Sequence, residues 1–156
     1  MANYRRVFAE KCSYFITVVT HQRNPILIEN IELLRDSFRV SKIKYPYKIE
    51  AIVILPEHFY MIISPMISTD YPKIIRAIKY HFSQNLASKY YENIEQSSSR
   101  WQRGLKPIWQ KRYYEHTIRD EKDYLEKMEY IKLNPLKHQL IDNDKDWEYS
   151  SFYREV

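Results

Sequence analysis

Lys48-Ile49-Glu50-Ala51-Ile52-Val53-Ile54-Leu55 runs into Pro56-Glu57 and then into His58-Phe59-Tyr60-Met61-Ile62-Ile63-Ser64. The first eight residues are almost continuously apolar after the lysine, which predicts a buried strand. Pro56-Glu57 makes a short turn, and His58 to Ser64 returns as a second strand. Side chains at i and i+2 of a strand share a face. His58 and Tyr60 therefore project together, while Phe59, Met61 and Ile63 point the other way. A histidine beside a second polar ring on an open sheet face can hold a metal or a phosphate. A surface histidine next to an amphipathic tyrosine is the plainer alternative.

The pattern extends in both directions from this hairpin. Upstream, Tyr14 to Thr20 (YFITVVT) is rich in β-branched and aromatic residues and predicts a strand. Asn30 to Lys44 opens on a helix-capping residue and carries Ile31, Leu34 and Phe38 at helical spacing, with Ile43 at the edge of the pattern; Pro46 stops it. Downstream, Thr69 or Asp70 caps a helix with Pro72 in its first turn. Ile74, Ile75, Ile78, Phe82 and Leu86 form its apolar face. Tyr113 to Ile118 predicts a further strand. A last helix runs from Glu121 to Asn134 and is ended by Pro135. The polar patch Gln96 to Ser99 predicts a mobile loop, and the aromatic tail from Trp147 is expected to fold back. The order β-α-β-β-α-β-α contains a split βαβ pattern. The expected fold is α+β and ferredoxin-like: one domain over residues 1–156, an antiparallel sheet with helices on one face, and an added C-terminal helix.

Composition narrows the function. A chain of 156 residues with 44% hydrophobic content builds one core. The net charge of +5 and the 15 tyrosines suit nucleic acid, because cations meet phosphates and rings stack on bases. The single glycine, Gly104, argues against glycine-rich phosphate loops. One cysteine, Cys12, excludes an internal disulfide and a cysteine-based zinc site. No apolar run approaches the ~20 residues of a membrane span, and no signal-peptide pattern follows Met1. A cytoplasmic location is the expectation.

Tyr130-Ile131-Lys132-Leu133-Asn134-Pro135 carries the other candidate chemistry. Residues at i and i+4 are neighbours on a helix, so Tyr130 and Asn134 can aim at one site. A tyrosine hydroxyl is a covalent nucleophile once activated, its ordinary pKa being ~10. A core tyrosine with a helix-ending Asn-Pro is the plainer alternative here.

Taken together, these segments resemble the single-tyrosine, HUH-type transposases, and within them the REP-associated branch. Tyr4-Arg5-Arg6, Tyr14 to Thr20 and Arg23-Asn24-Pro25-Ile26-Leu27 look like the family opening. Leu55-Pro56-Glu57-His58 looks like the approach to the HUH strand. Trp109 to His116 and Ile118-Arg119-Asp120-Glu121 match the stretch before the last helix. Tyr130-Ile131 with Asn134-Pro135 matches the nucleophile helix, and Trp147 to Phe152 resembles the closing motif. The resemblance implies that Tyr130 attacks a DNA phosphate to form a 5′-phosphotyrosine link. It implies that the two HUH positions, His58 and Tyr60, hold Mg2+ or Mn2+ with Asn134, and that single-stranded or hairpin DNA is the substrate. Arg5, Arg6, Arg112 and Arg119 are the candidate phosphate contacts. Both monomeric and homodimeric arrangements are compatible with it.

One position departs from the family. The second HUH residue is Tyr60, and a neutral phenol is a poor ligand for a hard divalent ion. Three consequences stay open from the residues alone: a weakened site completed by Glu57 or water, a Tyr60 contact to DNA, or loss of catalysis that leaves a DNA-binding protein. Tyr113 and Tyr114 are second choices as nucleophile. An RNA-binding ferredoxin-like module is the alternative of another class, and it predicts exposed aromatics on the central strands with no nucleophile nearby.

Overall fold

The computed structural model describes residues 12–144 and 146–153. Four strands form one antiparallel sheet: β1 (Tyr14–Val19), β2 (Tyr47–Ile54), β3 (His58–Pro65) and β4 (Tyr114–Thr117), in the order β2-β3-β1-β4. Helices α1 (Ile31–Lys44) and α2 (Tyr71–Asn85) follow β1 and β3, a short helix α3 (Ser98–Gln102) precedes β4, and α4 (Glu121–Lys137) follows it. This is the predicted split βαβ order with α4 added.

Alternation along the strands divides the core in two. Tyr14, Ile16 and Val18 of β1 and Phe59, Met61 and Ile63 of β3 face α1 and α2, which supply Leu34, Phe38, Ile74, Ile75, Ile78 and Phe82. Phe15, Ala51, Val53 and Ile62 face the other way, against Ile131 of α4. Each fully buried large side chain of this kind contributes roughly 1.5–3 kcal/mol. Phe59 and Tyr60 therefore serve opposite faces, which puts His58 and Tyr60 under α4. His81 lies on the far side, where its Nδ1 meets Ser37 Oγ at 2.9 Å and ties α2 to α1.

Three details differ from the sequence expectation. Ile43 is 83% exposed and lies outside the core, one position beyond the apolar stripe of α1. The patch Gln96 to Ser99 is not a loop throughout. The Ser97 hydroxyl accepts from the Arg100 N–H and starts α3 there. Most consequentially, α4 does not stop before Pro135 but continues to Lys137. A proline forfeits only one donor, and the last turn is closed without it. The Gln139 N–H donates to Leu136 O and the Leu140 N–H to Pro135 O, a Schellman closure.

The same closure ends α3, where Gly104 (φ 74) supplies the left-handed residue, its N–H bonded to Trp101 O and that of Leu105 to Arg100 O. At the end of α4 this role falls to Gln139, at φ 58. An L-residue pays roughly 1–2 kcal/mol in that region. Gln139→Gly is therefore expected to stabilise the protein by about 1 kcal/mol, read as a higher urea midpoint with an unchanged slope. A lower midpoint would mean that the glutamine side chain contributes more than the strain costs.

The tail from Trp147 extends the sheet edge. Trp147 Nε1–H donates to Ile54 O at 2.8 Å, the Ile54 N–H to Tyr149 O, and the Ser151 N–H to Ile52 O. No helix among the described residues is long and apolar enough to cross a membrane.

Candidate active site

His58 opens β3, opposite Val19 of β1, and Tyr60 lies opposite Thr17 and Val53. His58 is 2% exposed. Its Nδ1 meets Glu57 Oε1 at 2.7 Å. A carboxylate on one ring nitrogen fixes the ring and raises the basicity of the other, so Nε2 is left to serve the site. Burial holds the imidazole below its ordinary pKa; Glu57 opposes this, and His138 and Arg23 add to it. The ring is thus neutral near pH 7 and keeps a lone pair.

From α4, Tyr130, Asn134 and His138 follow at i, i+4 and i+8, on one helical face. The Tyr130 hydroxyl donates to the Tyr60 hydroxyl at 3.3 Å, with ring centres 5.2 Å apart. The Tyr60 ring lies 5.0 Å from that of His58, and the His138 ring 5.4 Å from His58. Burial, the largest cause, pushes the Tyr60 hydroxyl far above the ordinary phenol range, with the neighbouring Tyr130 phenol adding to it, against the smaller opposing effects of the Asn134 amide and the Arg23 charge. Tyr60 is accordingly a neutral phenol. Asn134 is 1% exposed; its amide leans on the Tyr60 hydroxyl too loosely for a well-formed hydrogen bond, and its Oδ1 has no partner. A buried amide left without a well-formed hydrogen bond is unusual and costs stability.

Tyr130 itself is 36% exposed. It borders a cavity of about 530 Å³ lined by Phe15, Thr17, Tyr60, Tyr114, Glu126 and Lys127. Lys137 Nζ lies 5.3 Å from the centre of its ring. A polymer can reach this hydroxyl, and the aromatic walls suit stacked bases.

The register of α4 decides where Tyr130 sits. Asp120 caps the helix by accepting from the Asp123 N–H at 2.8 Å. Tyr124 Oη–H donates to Glu50 Oε2 at 3.0 Å, Glu50 standing where the β2–β3 register shifts between Ile49 and Ala51. Asp123 gathers His116 Nε2 at 2.7 Å, the Arg119 N–H at 3.0 Å and Lys127 Nζ at 3.2 Å. Burial alone would raise its pKa. The bonds from His116, Arg119 and Lys127 outweigh that and hold the carboxyl at about 2. A depressed carboxylate stabilises the fold above its unfolded pKa of ~3.9 and loses that contribution as pH falls through the folded value. Asp123→Asn should therefore be less stable than the parent at pH 6. The gap in urea midpoint should close between about pH 4 and pH 2, and a gap independent of pH would contradict the ion-pair account.

The structure brings His58, Tyr60, Tyr130 and Asn134 together. Arg112 is exposed, beyond the start of β4; the Gln110 N–H bonds Val19 O, so this segment runs past the His58 end of the sheet. Arg119 is exposed at the other end of α4, roughly 16 Å along its axis from Tyr130. Arg5 and Arg6 lie outside the described residues. Tyr114 shares the cavity with Tyr130, whereas Tyr113 turns to the opposite core and to Lys79. Two neighbours of the site fall outside the expected set. His138 lies past the predicted helix end, and only a helix continued through Pro135 would have put it in phase. Arg23 acts on both His58 and Tyr60, from a left-handed pair, Gln22 (φ 52) and Arg23 (φ 53), that no residue pattern announces. Among the described residues, no group of three or more His, Cys, Asp and Glu is placed to hold a metal ion; a cation site here needs the Asn134 amide.

Comparison with known proteins gives a consistent result. The family described as "Transposase IS200 like" matches residues 8–134. A REP-associated tyrosine transposase of Escherichia coli K12 is 34% identical over the whole of this chain, which covers 86% of its length. A Haemophilus influenzae protein provisionally given the same name is 35% identical over the whole chain and is covered to 88%. The solved structure of a REP-associated tyrosine transposase bound to a REP hairpin superposes with a TM-score of 0.74. It is 32% identical, with 92% of this chain and 78% of that chain covered.

Proposed function

The chain belongs to the IS200-like family of single-tyrosine, HUH-type transposases, in the REP-associated branch, and from that premise we propose that it binds hairpin-bearing single-stranded DNA in the cytoplasm and cleaves and rejoins it through Tyr130. The observation that carries this reading is the accessible Tyr130 hydroxyl held against Tyr60 beside the buried His58. Support for the substrate comes from the relative solved with a REP hairpin. The net charge and the aromatic cavity beside Tyr130 fit the same polymer. An RNA-binding module has no need of a tyrosine nucleophile poised in this way.

In the reaction, Tyr130 Oη attacks the scissile phosphorus. The Oη–P bond forms as the P–O3′ bond breaks. Tyr130 gives up one proton to solvent, and the departing 3′ oxygen takes one up. The products are a 5′-phosphotyrosine and a free 3′ hydroxyl, and attack by a 3′ hydroxyl on the phosphotyrosine reverses the chemistry. Tyr60 accepts the hydrogen bond that orients Tyr130 before attack. Arg112 and Arg23, both exposed near the His58 end of the sheet, are placed to meet flanking phosphates; Arg5, Arg6 and Arg119 are further candidates for DNA contact.

The site's donors fit a divalent cation in part. His58 Nε2 and the orphaned Asn134 Oδ1 would hold Mg2+ or Mn2+, whereas Tyr60, neutral and engaged by Tyr130, would not. When bound, the ion supplies Lewis-acid polarisation of the scissile phosphate. A second reading, non-catalytic DNA binding, is favoured by Tyr60 standing at an imidazole position. Covalent capture separates the two. The protein is incubated with labelled single-stranded hairpin DNA and Mn2+, then denatured. A protein–DNA band that survives denaturation is expected; tight binding without that band would select the second reading.

A further inference from the structure

We infer that His138 supplies the imidazole missing from position 60, so that the cation site of this chain is His58, Asn134 and His138 rather than His58, Tyr60 and Asn134. The inference rests on the reading that this site takes a divalent ion, and it changes which residues hold it.

Helix geometry puts His138 there. Residues 130, 134 and 138 fall on one face, and the helix reaches Lys137 despite Pro135. The Schellman closure through Gln139 and Leu140 fixes the backbone at His138, whose own N–H bonds Asn134 O at 3.1 Å. The His138 ring stands 5.4 Å from that of His58, at an interplanar angle of 71°. Two imidazoles that share one ion through bonds of about 2.1 Å hold their ring centres roughly 4.5–5.5 Å apart. The observed spacing is in that range before any ion is added. Glu57 already occupies His58 Nδ1, the arrangement that turns the opposite nitrogen toward a metal.

A second observation points to a ligand independently. Asn134 lies one turn before His138 on the same face of α4, almost wholly buried, with an amide oxygen that has no hydrogen-bond partner. An oxygen donor held without a partner on the helix face that leads to His138, with the His58–His138 ring pair, makes up a ligand set for a divalent ion. Tyr60 offers no comparable donor, because its hydroxyl is engaged by Tyr130. An edge-to-face contact between His58 and His138 with no ion would leave the Asn134 oxygen without a partner.

Mn2+ binding to the whole protein tests this by calorimetry, without any turnover. His138→Ala should weaken Mn2+ affinity at least about 10-fold, while Tyr60→Phe should change it by less than about 2-fold. The result that overturns the inference is His138→Ala binding Mn2+ like the parent while His58→Ala does not. Ring nitrogens of ¹⁵N-histidine provide a readout that needs no variant. On Zn2+ addition, those of His58 and His138 should shift, and those of His81, across the sheet, should not. A stationary His138 beside a shifting His58 also overturns it. Failure of the parent to take up either ion would remove the cation from the proposed function altogether, whereas covalent capture reports on Tyr130 separately.

Discussion

Tyr130→Phe is expected to remove the denaturation-resistant protein–DNA band and to leave hairpin binding in place. The substitution deletes one oxygen, the atom that bonds to phosphorus, so no residual route through position 130 exists. The loss should exceed about 10³-fold in the rate of adduct formation. The fold should scarcely notice. The hydroxyl makes one hydrogen bond, to Tyr60 at 3.3 Å, from a residue that is 36% exposed, and such a bond contributes about 0.5–1.5 kcal/mol at most. Affinity for a labelled hairpin should stay within about 3-fold, since the ring still lines the cavity and remains below Lys137. The competing nucleophile is Tyr114, 57% exposed and on the same cavity. A band that persists in Tyr130→Phe and vanishes in Tyr114→Phe would transfer the role. Tyr113 cannot compete, because it faces α2 on the opposite side of the sheet.

Much of this arrangement is legible without coordinates, for a physical reason. The period-2 alternation of His58 to Ser64 separates Phe59, Met61 and Ile63 from His58 and Tyr60, and burial enforces that separation because a one-residue slip would expose the whole apolar set. The i, i+4 relation of Tyr130 and Asn134 is equally local. What the pattern does not carry is long-range closure. Pro135 is a sound stop signal on local grounds, yet the last turn of α4 is completed by N–H groups of residues 139 and 140. Stopping the helix at Asn134 leaves His138 out of phase and so without a role. Arg23 was hidden differently, since its position depends on two consecutive left-handed residues that are not glycine. Glu50 depends on a register shift in β2. Each of these three lies where local preference yields to the surroundings, and all three border the site or the helix that builds it.

Asn134→Leu is expected to make the protein more stable and functionally inert. The Asn134 amide is buried without a well-formed hydrogen bond, and an unsatisfied buried polar group costs about 1–3 kcal/mol. Leucine has a similar volume and no polar atoms, so it removes the penalty without opening a cavity. Without divalent ions, the variant should gain about 1–3 kcal/mol and melt several degrees higher, at ~2–4 °C per kcal/mol for a chain of this size. Mn2+ should then close or reverse the gap. At 100 times its dissociation constant, a cation that binds only the folded state adds about 2.7 kcal/mol, and this gain is available to the parent but not to Asn134→Leu. Covalent capture should fall to background in the variant for the same reason. A leucine variant that melts lower than the parent in the absence of ions would show that the amide is satisfied in solution. The buried asparagine would then be a structural residue, and the strongest physical ground for a cation at this site would be gone. The opposite pair of results, higher stability and no response to Mn2+, would mean that the fold keeps a destabilising residue at the one place where the chemistry needs an oxygen donor.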